Sequence, residues 1–457
     1  MKPEKNKEYI VDIIDNGFEG EGIAKINDFT IFIKGAIKGE KVKILIVKVL
    51  TNYAFGKIIE IIEKSPKRIE SDCATYKRCG GCSLRHIKYE ETLKMKQNSV
   101  QSLVNKTLKN KIIVEETLGM DNPYHYRNKL QYPVGQDKQG KSVMGVFANR
   151  THEIIPVEKC MIQNETAEKV AKEIFKFIEE NKISIYDEKT RKGLVRHIIV
   201  KIGIKTKEVM CILVINGKEI PKEKEFVETI TSKFKKVKTI VKNINRKNTN
   251  VILGEQNIIL FGNGYIQDTL GKYTFNISPM SFYQVNPIQA EKLYNIGIKG
   301  ANLNKDDIVF DLYCGIGTIS LFMAEHVKKV YGVEIVKEAV EMAKENAKIN
   351  NVFNVEFLAG DVELILDDLI NKQKINPSVI MVDPPRRGLD NVSINNILKI
   401  KPERLVYISC NPATIMRDLS KLEDMYEIKS IKPVDMFPYT THVECVCVLE
   451  LEESNKK

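Results

Sequence analysis

The chain has 457 residues, of which 43% are hydrophobic and 29% are charged, and this composition is that of a globular protein with two to four domains. It excludes global disorder, collagen and a disulfide-rich miniprotein. No apolar stretch opens the chain and no run reaches the roughly 18 apolar residues of a membrane span, so we expect a cytoplasmic protein without a membrane partner. The net charge of +11 favours a polyanionic partner such as a nucleic acid.

Residues 1–62 predict a compact β-rich unit. Short alternating stretches, among them Lys41–Lys48 and Gly56–Glu63, are separated by turns that contain glycine. About five short strands in this length are typical of a small barrel of the oligonucleotide-binding kind. Any other small β-domain fits the pattern equally well.

Residues 63–279 predict a mixed α+β domain. A helix is expected over Tyr89–Leu108, with strands over Lys129–Val134, Leu194–Lys201 and Val209–Ile215. Residues 233–247 contain seven Lys or Arg and no acid. Such a run can follow a phosphate backbone, or it can be the solvated face of a helix.

Four of the nine cysteines predict a metal site, because disulfides are rare inside cells. These are Cys73, Cys79, Cys82 and the distant Cys160. Four thiolates suit zinc or an iron–sulfur cluster, and the spacing lacks the paired knuckles of a zinc ribbon, which favours [4Fe–4S]. Basic neighbours predict that the cluster lies in an RNA-facing surface; these are Lys77, Arg78, Arg85 and Lys88.

Residues 280–457 change pattern, and apolar strand-like runs now alternate with helical segments. Five β–α repeats and a terminal strand pair predict a doubly wound, mainly parallel sheet of the Rossmann-like kind. Ligands of such sheets bind beyond the carboxyl ends of the strands.

The carboxyl ends of the first four strands carry a candidate cofactor site. Gly315 and Gly317, in "DLYCGIGT", let the backbone turn tightly and approach a ligand. This turn carries neither the dinucleotide nor the P-loop glycine pattern. Glu334 can hold the ribose hydroxyls, Asp361 can reach an adenine amino group or cap a helix, and Asp383 can point into the pocket. Together they favour S-adenosylmethionine.

The last two strands supply a candidate nucleophile and base. Cys410 follows the fifth strand, where a helix N-terminus should lower the pKa of its thiol. Glu444 opens an otherwise apolar strand, where a carboxylate is disfavoured unless it is used. The remaining cysteines Cys211, Cys314, Cys445 and Cys447 are predicted to lie in the core. A thiolate that adds to C6 of uracil activates C5 towards a sulfonium methyl group, and a carboxylate can then remove the C5 proton. Such a base must leave its stack to reach the thiolate.

The chain resembles the RNA uracil-5-methyltransferase family, specifically its iron–sulfur ribosomal RNA branch. The resemblance covers essentially the whole chain and rests on a leading TRAM-like barrel and on "CATYKRCGGC", "YHYRNK", "GLVRHIIVK", "SFYQVN", "DLYCGIGT", "DPPRRG", "SCNP" and "FPYTTHVE". It implies that Gln284, Tyr313, Glu334 and Asp383 contact adenosylmethionine, that Cys410 is the nucleophile and Glu444 the proton acceptor, and that the four cysteines bind the cluster.

We therefore expect a monomer, without an obligate protein partner, that methylates C5 of uridine in 23S ribosomal RNA. Three alternatives remain at this point. One is a base N-methyltransferase, which Arg386 in place of an aromatic residue disfavours. Another is a non-enzymatic iron–sulfur RNA-binding or redox-sensing protein with a degenerate methyltransferase fold. The third keeps the chemistry but takes transfer RNA as its substrate.

Overall fold

The computed structural model describes residues 2–149 and 151–455. Its N-terminal sheet has six strands: β1 (Glu8–Asp12), β2 (Asp15–Asn16), β3 (Gly22–Ile26), β4 (Phe29–Ile33), β5 (Lys41–Val49) and β6 (Tyr53–Glu63). Their order is β1-β5-β6-β4-β3-β2. The Ile14 amide donates to the Ile23 carbonyl beyond β1, so the sheet curls towards a barrel. Inward residues such as Ile31 and Ile33 are fully buried and form a core of their own.

The central sheet has seven strands and is covered on one face by helices. In chain order the elements are α1 (Tyr89–Thr107), β7 (Lys129–Gln136), β8 (Ser142–Phe147), β9 (Ile154–Pro156), α2 (Glu165–Glu180), β10 (Val195–Ile202), β11 (Val209–Ile215), α3 (Glu223–Lys233), β12 (Val237–Ile244) and β13 (Gln256–Gly262). The strand order is β13-β12-β11-β10-β7-β8-β9. Residues of α2 and α3, including Phe177 and Phe226, pack in one core with the sheet.

The basic run of residues 233–247 is not a helix face. It begins at the end of α3 and continues through β12, a largely buried strand next to β11. Lys242 is buried and forms an ion pair of 2.6 Å with Glu223, and Lys233 is paired with Glu173. The helix interpretation was therefore wrong, because long-range strand pairing decided the local structure.

The C-terminal part opens with a hairpin and continues as a seven-stranded sheet. Its elements are β14 (Ile266–Leu270), β15 (Tyr273–Ile277), α4 (Pro287–Ala301), β16 (Ile308–Leu312), α5 (Thr318–Ala324), β17 (Lys329–Glu334), α6 (Lys337–Ile349), β18 (Val355–Ala359), α7 (Val362–Asp367) with a π-helical turn Asp368–Lys372, β19 (Val379–Val382), α8 (Asn391–Ile400), β20 (Arg404–Ser409), α9 (Pro412–Leu422), β21 (Tyr426–Val434), β22 (Glu444–Leu451) and a 3₁₀ turn Glu453–Asn455. The strand order is β18-β17-β16-β19-β20-β22-β21, and all pairs are parallel except those of β22. This confirms the predicted Rossmann-like sheet.

The two faces of this sheet bury different sets of apolar residues. Val309 and Met381 face α4, α5 and α6, whereas Phe310 and Ile380 face α7, α8 and α9. Helix α1 joins the second layer through Val100, although it comes from the middle of the chain. Strands buried on both faces read as continuous apolar runs, which is why the sequence predicted them.

The central and C-terminal sheets share one core. Ile199, Met210 and Ile212, on the face of the central sheet away from α2, belong to the same buried cluster as Leu293 and Tyr294 of α4. No helix in the two described ranges is long and apolar enough to cross a membrane.

Candidate active site

The carboxyl ends of the parallel strands place four predicted residues at one edge of the sheet. Tyr313 follows β16, Glu334 ends β17, Asp383 follows β19 and Cys410 follows β20. The neighbouring strands β17, β16, β19 and β20 pair in register over their last residues, so these side chains start from adjacent positions.

Cys410 and Glu444 lie opposite each other. Strands β20 and β22 are antiparallel, and their last pair is Ser409 with Cys445. Cys410 and Glu444 each adjoin this last pair, and the Glu444 carboxylate is near enough to the Cys410 thiol to raise its pKa. The sheet therefore brings together the predicted nucleophile and the predicted base.

The glycine turn after β16 leaves room for a ligand. Gly317 has a φ of 80°, and a Cβ there would lie 2.7 Å from Cζ of Phe357, so the close packing of α5 requires glycine. Gly315 has a φ of 55°, and its missing Cβ would point into space free of other atoms to 4 Å. The open space lies beside Glu334, whose carboxylate accepts the Gly315 amide at 3.1 Å.

Glu334 is held in a fixed orientation. The Val336 amide donates to Oε1 of Glu334 at 2.9 Å, and the Gly315 amide donates to Oε2. A carboxylate oxygen accepts more than one hydrogen bond, so both oxygens can still receive ribose hydroxyls.

Asp361 is exposed and acts as the N-cap of α7, where its Oδ1 accepts the Glu363 amide at 2.9 Å. This is the helix-cap alternative that the sequence left open. Contact of Asp361 with adenine remains a prediction.

Gln284 enters the site from the loop between β15 and α4. Burial and the Asp383 carboxylate raise the pKa of Tyr294, while hydrogen bonds to Thr318 and Gln284 oppose that shift. Gln284, Thr318 and Asp383 therefore surround one phenol. The backbone of Gln284 is fixed by Asn128, whose side-chain amide donates to its carbonyl at 3.0 Å.

Lys201 anchors the same loop and was missed by the sequence analysis. Its ammonium is buried and donates to the carbonyls of Ser278 and Pro279 at 2.9 Å and of Ser281 at 3.1 Å. Burial lowers the pKa of Lys201 to about 7, and Lys129 lowers it further. A lysine that closes an apolar strand was the available signal.

Asp311 was missed as well. Its Oδ2 accepts the Ser320 hydroxyl at 2.5 Å, and its buried Oδ1 has no partner among the described atoms. Burial raises the pKa of Asp311 to about 7, and the carboxylates of Asp383 and Glu334 add to the shift. An acid inside the apolar run "IVFDL" is the same signal that singled out Glu444.

The predicted low pKa of Cys410 was wrong. Burial, together with the carboxylates of Glu444 and Asp383, raises the pKa of its thiol to about 11. Helix α9 begins two residues later and its N-terminus is already capped by Asn411. Only Arg386 lowers the pKa of Cys410.

The acids of the pocket share this behaviour. Burial raises the pKa of Glu444 to about 8, with a further contribution from Asp383, and burial raises the pKa of Asp383 to about 7. The Glu444 side chain is 4% exposed. A buried acid costs stability and therefore indicates a use.

Arg386 is the basic group of this pocket, and α9 holds its backbone. Asn411 caps α9 by accepting the Ala413 amide at 3.1 Å, and its side-chain amide donates to the Arg386 carbonyl at 3.2 Å. The Thr414 hydroxyl donates to the same carbonyl at 3.3 Å. Arg386 lowers the pKa of both Cys410 and Glu444.

The segment before Glu444 is fixed by buried polar contacts. Lys96 of α1 and Asp435 form an ion pair of 2.5 Å with side chains 2% and 0% exposed. The Tyr89 hydroxyl donates to the other Asp435 oxygen at 2.8 Å. The Asn286 amide donates to the Met436 carbonyl at 3.0 Å.

The four predicted cluster cysteines share one neighbourhood. Burial raises the pKa of Cys82 to about 12, and the thiols of Cys160, Cys79 and Cys73 raise it further. The Gly81 amide donates to Cys79 Sγ at 3.2 Å. The described ranges nevertheless contain no group of three His, Cys, Asp or Glu side chains arranged to hold a metal ion. The four neighbouring thiols have the donor chemistry of an iron–sulfur site, although their side chains do not converge on one point in this structure.

Arg85 does not contribute to an RNA-facing surface. It is 1% exposed, pairs with Asp72 at 2.5 Å, and stacks its guanidinium over Tyr439 and Tyr124 at 4.3 and 4.9 Å. The prediction for this residue was wrong, because its partners come from distant parts of the chain. Cys211, Cys314, Cys445 and Cys447 are buried, as predicted.

The residues around the glycine turn fit adenosylmethionine. The open space at Gly315, the oriented Glu334 carboxylate and the unpartnered Asp311 oxygen supply room, a diol acceptor and negative charge for a cationic ligand. When bound, the cofactor supplies an electrophilic methyl group.

The family model for tRNA (uracil-5-)-methyltransferases matches residues 88–452. The chain belongs to this family. The TRAM domain model matches residues 2–59 of this uracil-5-methyltransferase, in agreement with the predicted N-terminal barrel.

Curated relatives cover nearly the whole chain. An uncharacterized RNA methyltransferase of Clostridium acetobutylicum is 47% identical over 98% of this chain and 97% of its own length. One of Halalkalibacterium halodurans is 45% identical over 98% of both chains. The protein is thus an adenosylmethionine-dependent RNA methyltransferase of the uracil-5 family.

A solved structure shares the architecture. Pyrococcus abyssi tRNA (uracil-54, C5)-methyltransferase in complex with S-adenosyl-L-homocysteine has a TM-score of 0.77 and 25% identity, and the match covers 97% of this chain and 100% of that one.

Proposed function

We propose that this uracil-5-methyltransferase modifies C5 of uridine in 23S ribosomal RNA through a covalent bond between Cys410 and C6 of the base. The observation that carries the mechanism is the facing pair of Cys410 and Glu444 at the sheet edge that also holds the glycine turn. In this proposal residues 1–62 bind RNA, residues 63–279 form the cysteine-cluster domain, and residues 280–457 carry out catalysis.

The chemistry divides between the two facing side chains. Cys410 releases its proton to solvent, and its sulfur then bonds to C6, which moves the C5–C6 electron pair towards the O4 enolate. Adenosylmethionine held by Gln284, Tyr313, Glu334 and Asp383 would supply the methyl group to C5 and would retain the electron pair of the sulfur–carbon bond. Glu444 takes the C5 proton, the C5–C6 double bond re-forms, and Cys410 leaves as thiolate.

The electrostatics of the pocket suit this order of chemical steps. The raised pKa of Cys410 keeps its sulfur protonated and unreactive in the free protein. Arg386 and a cationic ligand beside Asp383 both favour the thiolate, so the nucleophile forms when the pocket is loaded. The raised pKa of Glu444 makes its carboxylate a stronger base than an exposed glutamate.

RNA that carries 5-fluorouridine at the target position tests the adduct, because it has no C5 proton to remove. We expect the natural protein to form a covalent complex that resists denaturing electrophoresis, and Cys410→Ala to form none. Cys211→Ala removes another buried thiol and should trap normally. Trapping that survives in Cys410→Ala contradicts the mechanism.

Glu444→Gln tests the base on natural uridine RNA. The amide cannot accept the C5 proton, so we expect the adduct to form and the methylated product not to be released. Turnover at the natural rate would remove Glu444 from this role.

The choice of RNA has a second candidate. The similarity to the Pyrococcus abyssi transfer RNA enzyme extends over the whole chain and favours transfer RNA. The resemblance to the iron–sulfur, TRAM-containing branch favours 23S ribosomal RNA. The two candidates can be distinguished by mapping 5-methyluridine in both RNAs from cells that lack this protein, because only the true substrate loses its modification.

We further propose that Cys73, Cys79, Cys82 and Cys160 bind a [4Fe–4S] cluster. The proposal is supported by the shared neighbourhood of the four thiols and by the backbone amide that points at Cys79. Protein purified without oxygen should contain iron and sulfide, and Cys82→Ser should lose both, whereas Cys211→Ser should not. Protein that is found to contain no iron after this oxygen-free purification contradicts the assignment.

A further inference from the structure

Three aromatic rings lie on the outside of the N-terminal barrel. Phe32, Tyr53 and Phe55 alternate along β4 and β6 with the buried residues Ile31 and Ala54. Their ring centroids are 5.4–6.1 Å apart, so they form one contiguous group. None of the three belongs to the buried core of the barrel or to the residues packed against it in the described chain. Tyr53 is 38% exposed.

Lysines border this aromatic face. The strand register aligns Phe32 with Phe55 and Phe55 with Lys48 across the outer surface. Along β6 the next outward residue after Phe55 is the exposed Lys57. A surface that alternates aromatic rings with ammonium groups suits unpaired nucleotides, because rings stack on bases and lysines contact phosphates.

The barrel that carries this aromatic face contacts the segment that leads to the candidate active site. A Cβ on Gly20 would lie 3.0 Å from Cγ2 of Thr441, so the turn before β3 touches the segment that leads to Glu444. Ile23, three residues further along, pairs with Phe32. At about 3.3 Å per residue, this spacing corresponds to about 10 Å along the chain.

We propose that Phe32, Tyr53 and Phe55 form a stacking platform for unpaired nucleotides that flank the target uridine, with Lys48 and Lys57 on their phosphates. The inference rests on the proposed function, since it assumes that the RNA in the pocket continues onto the barrel. The platform adds contacts to single-stranded RNA beyond those that the flipped base makes in the pocket.

Ring-removing and ring-retaining variants of the full-length protein test the platform. Fluorescence anisotropy measures the binding of a 12-nucleotide single-stranded oligouridine and of a duplex RNA of equal length. Phe32→Leu, Tyr53→Leu and Phe55→Leu should each bind the single strand about fivefold or more weakly. Tyr53→Phe keeps the ring and should bind like the natural protein. Ile59→Ala changes an exposed apolar residue of the same strand outside the platform and should have no effect.

Two results overturn the proposal. One is unchanged single-strand affinity in all three leucine variants, which is also expected if the face docks on another protein. The other is an equal loss for duplex RNA, which indicates a general effect on the barrel. Adenosylmethionine binding, measured by calorimetry, should be unchanged in these variants. Because the assay needs no turnover, its outcome is independent of 5-fluorouridine trapping, which tests the proposed function.

Discussion

Lys201 fixes the backbone turn that leads to Gln284, a predicted cofactor contact. Its three carbonyl acceptors lie in the turn that precedes Gln284. Removal of the ammonium leaves three carbonyls without their donor in a buried turn, which favours a different loop conformation. Lys201 is thus a positioning residue for Gln284.

We predict that Lys201→Met weakens adenosylmethionine binding about tenfold, since the loop no longer holds Gln284 in place. Isothermal calorimetry measures the affinity, and anisotropy should show unchanged binding of RNA. Lys205→Met removes an exposed lysine that bonds to Glu291 and serves as the control. Natural affinity in Lys201→Met would show that the turn keeps its shape without the lysine.

The buried acid Glu444 also predicts a pH dependence of stability. The raised pKa of Glu444 in the folded protein, about 8, means that the folded state binds a proton more tightly than the unfolded chain. The free energy of unfolding should therefore fall as the pH rises from about 4.5 to about 8. Urea unfolding of the cofactor-free protein at several pH values measures this.

Glu444→Gln should flatten this pH profile and be more stable than the natural protein above pH 8, since the amide carries no charge to bury. Glu450→Gln, on the exposed side of the same strand, should leave the profile unchanged. A profile for Glu444→Gln that falls like that of the natural protein would assign the pH dependence to other groups.

At the scale of elements, α9 links the thiol to the arginine. Asn411 caps this helix and bonds to the Arg386 carbonyl, so one side chain orders both sides of the pocket. The proline at the first helical position adds rigidity, because its φ already suits a helix.

We predict that Asn411→Ala lowers the free energy of unfolding by about 1 kcal/mol and also slows adduct formation. Asn164→Ala removes the comparable cap of α2, which accepts the Thr166 amide at 2.9 Å in the central domain. It should cost a similar stability and leave the adduct rate unchanged. Equal adduct rates in the two variants would show that Asn411 is only a structural cap.

The elements were the part of the fold best predicted from sequence. The parallel strands are buried on both faces, so each gave an apolar run whose end could be located, and Cys410, Glu334 and Asp383 were found at those ends. The pKa of Cys410 and the burial of Arg85 were missed, because both depend on groups that only tertiary packing brings near. Asp311 carried the same signal as Glu444 and was overlooked.

At the scale of the whole molecule, one buried ion pair joins distant parts of the chain. Lys96 lies on α1 and Asp435 lies beside the active-site strand, with both side chains almost fully buried. Loss of one partner leaves a buried charge alone, which is far more costly than loss of an exposed pair.

We predict that Lys96→Met lowers the free energy of unfolding by about 3 kcal/mol. Lys94→Met breaks an exposed ion pair with Glu91 on the same helix and should cost less than about 1 kcal/mol. Denaturant unfolding compares the two variants. Similar costs would mean that Asp435 is adequately held by Tyr89 alone.

The shared core between the central and C-terminal sheets limits how this enzyme can be rearranged. The barrel encloses its own core, and it is joined to later segments by the Arg68–Glu40 ion pair, by Ile37 packed with Leu84 and Ile87, and by the contact of Gly20 with Thr441. A chimera could thus receive a foreign barrel if it kept these contacts. Exchange of the central sheet would bare the apolar face around Ile199 and Met210. Exchange of the N-terminal barrel can therefore change which RNA is preferred. The central and C-terminal sheets must be exchanged as one unit.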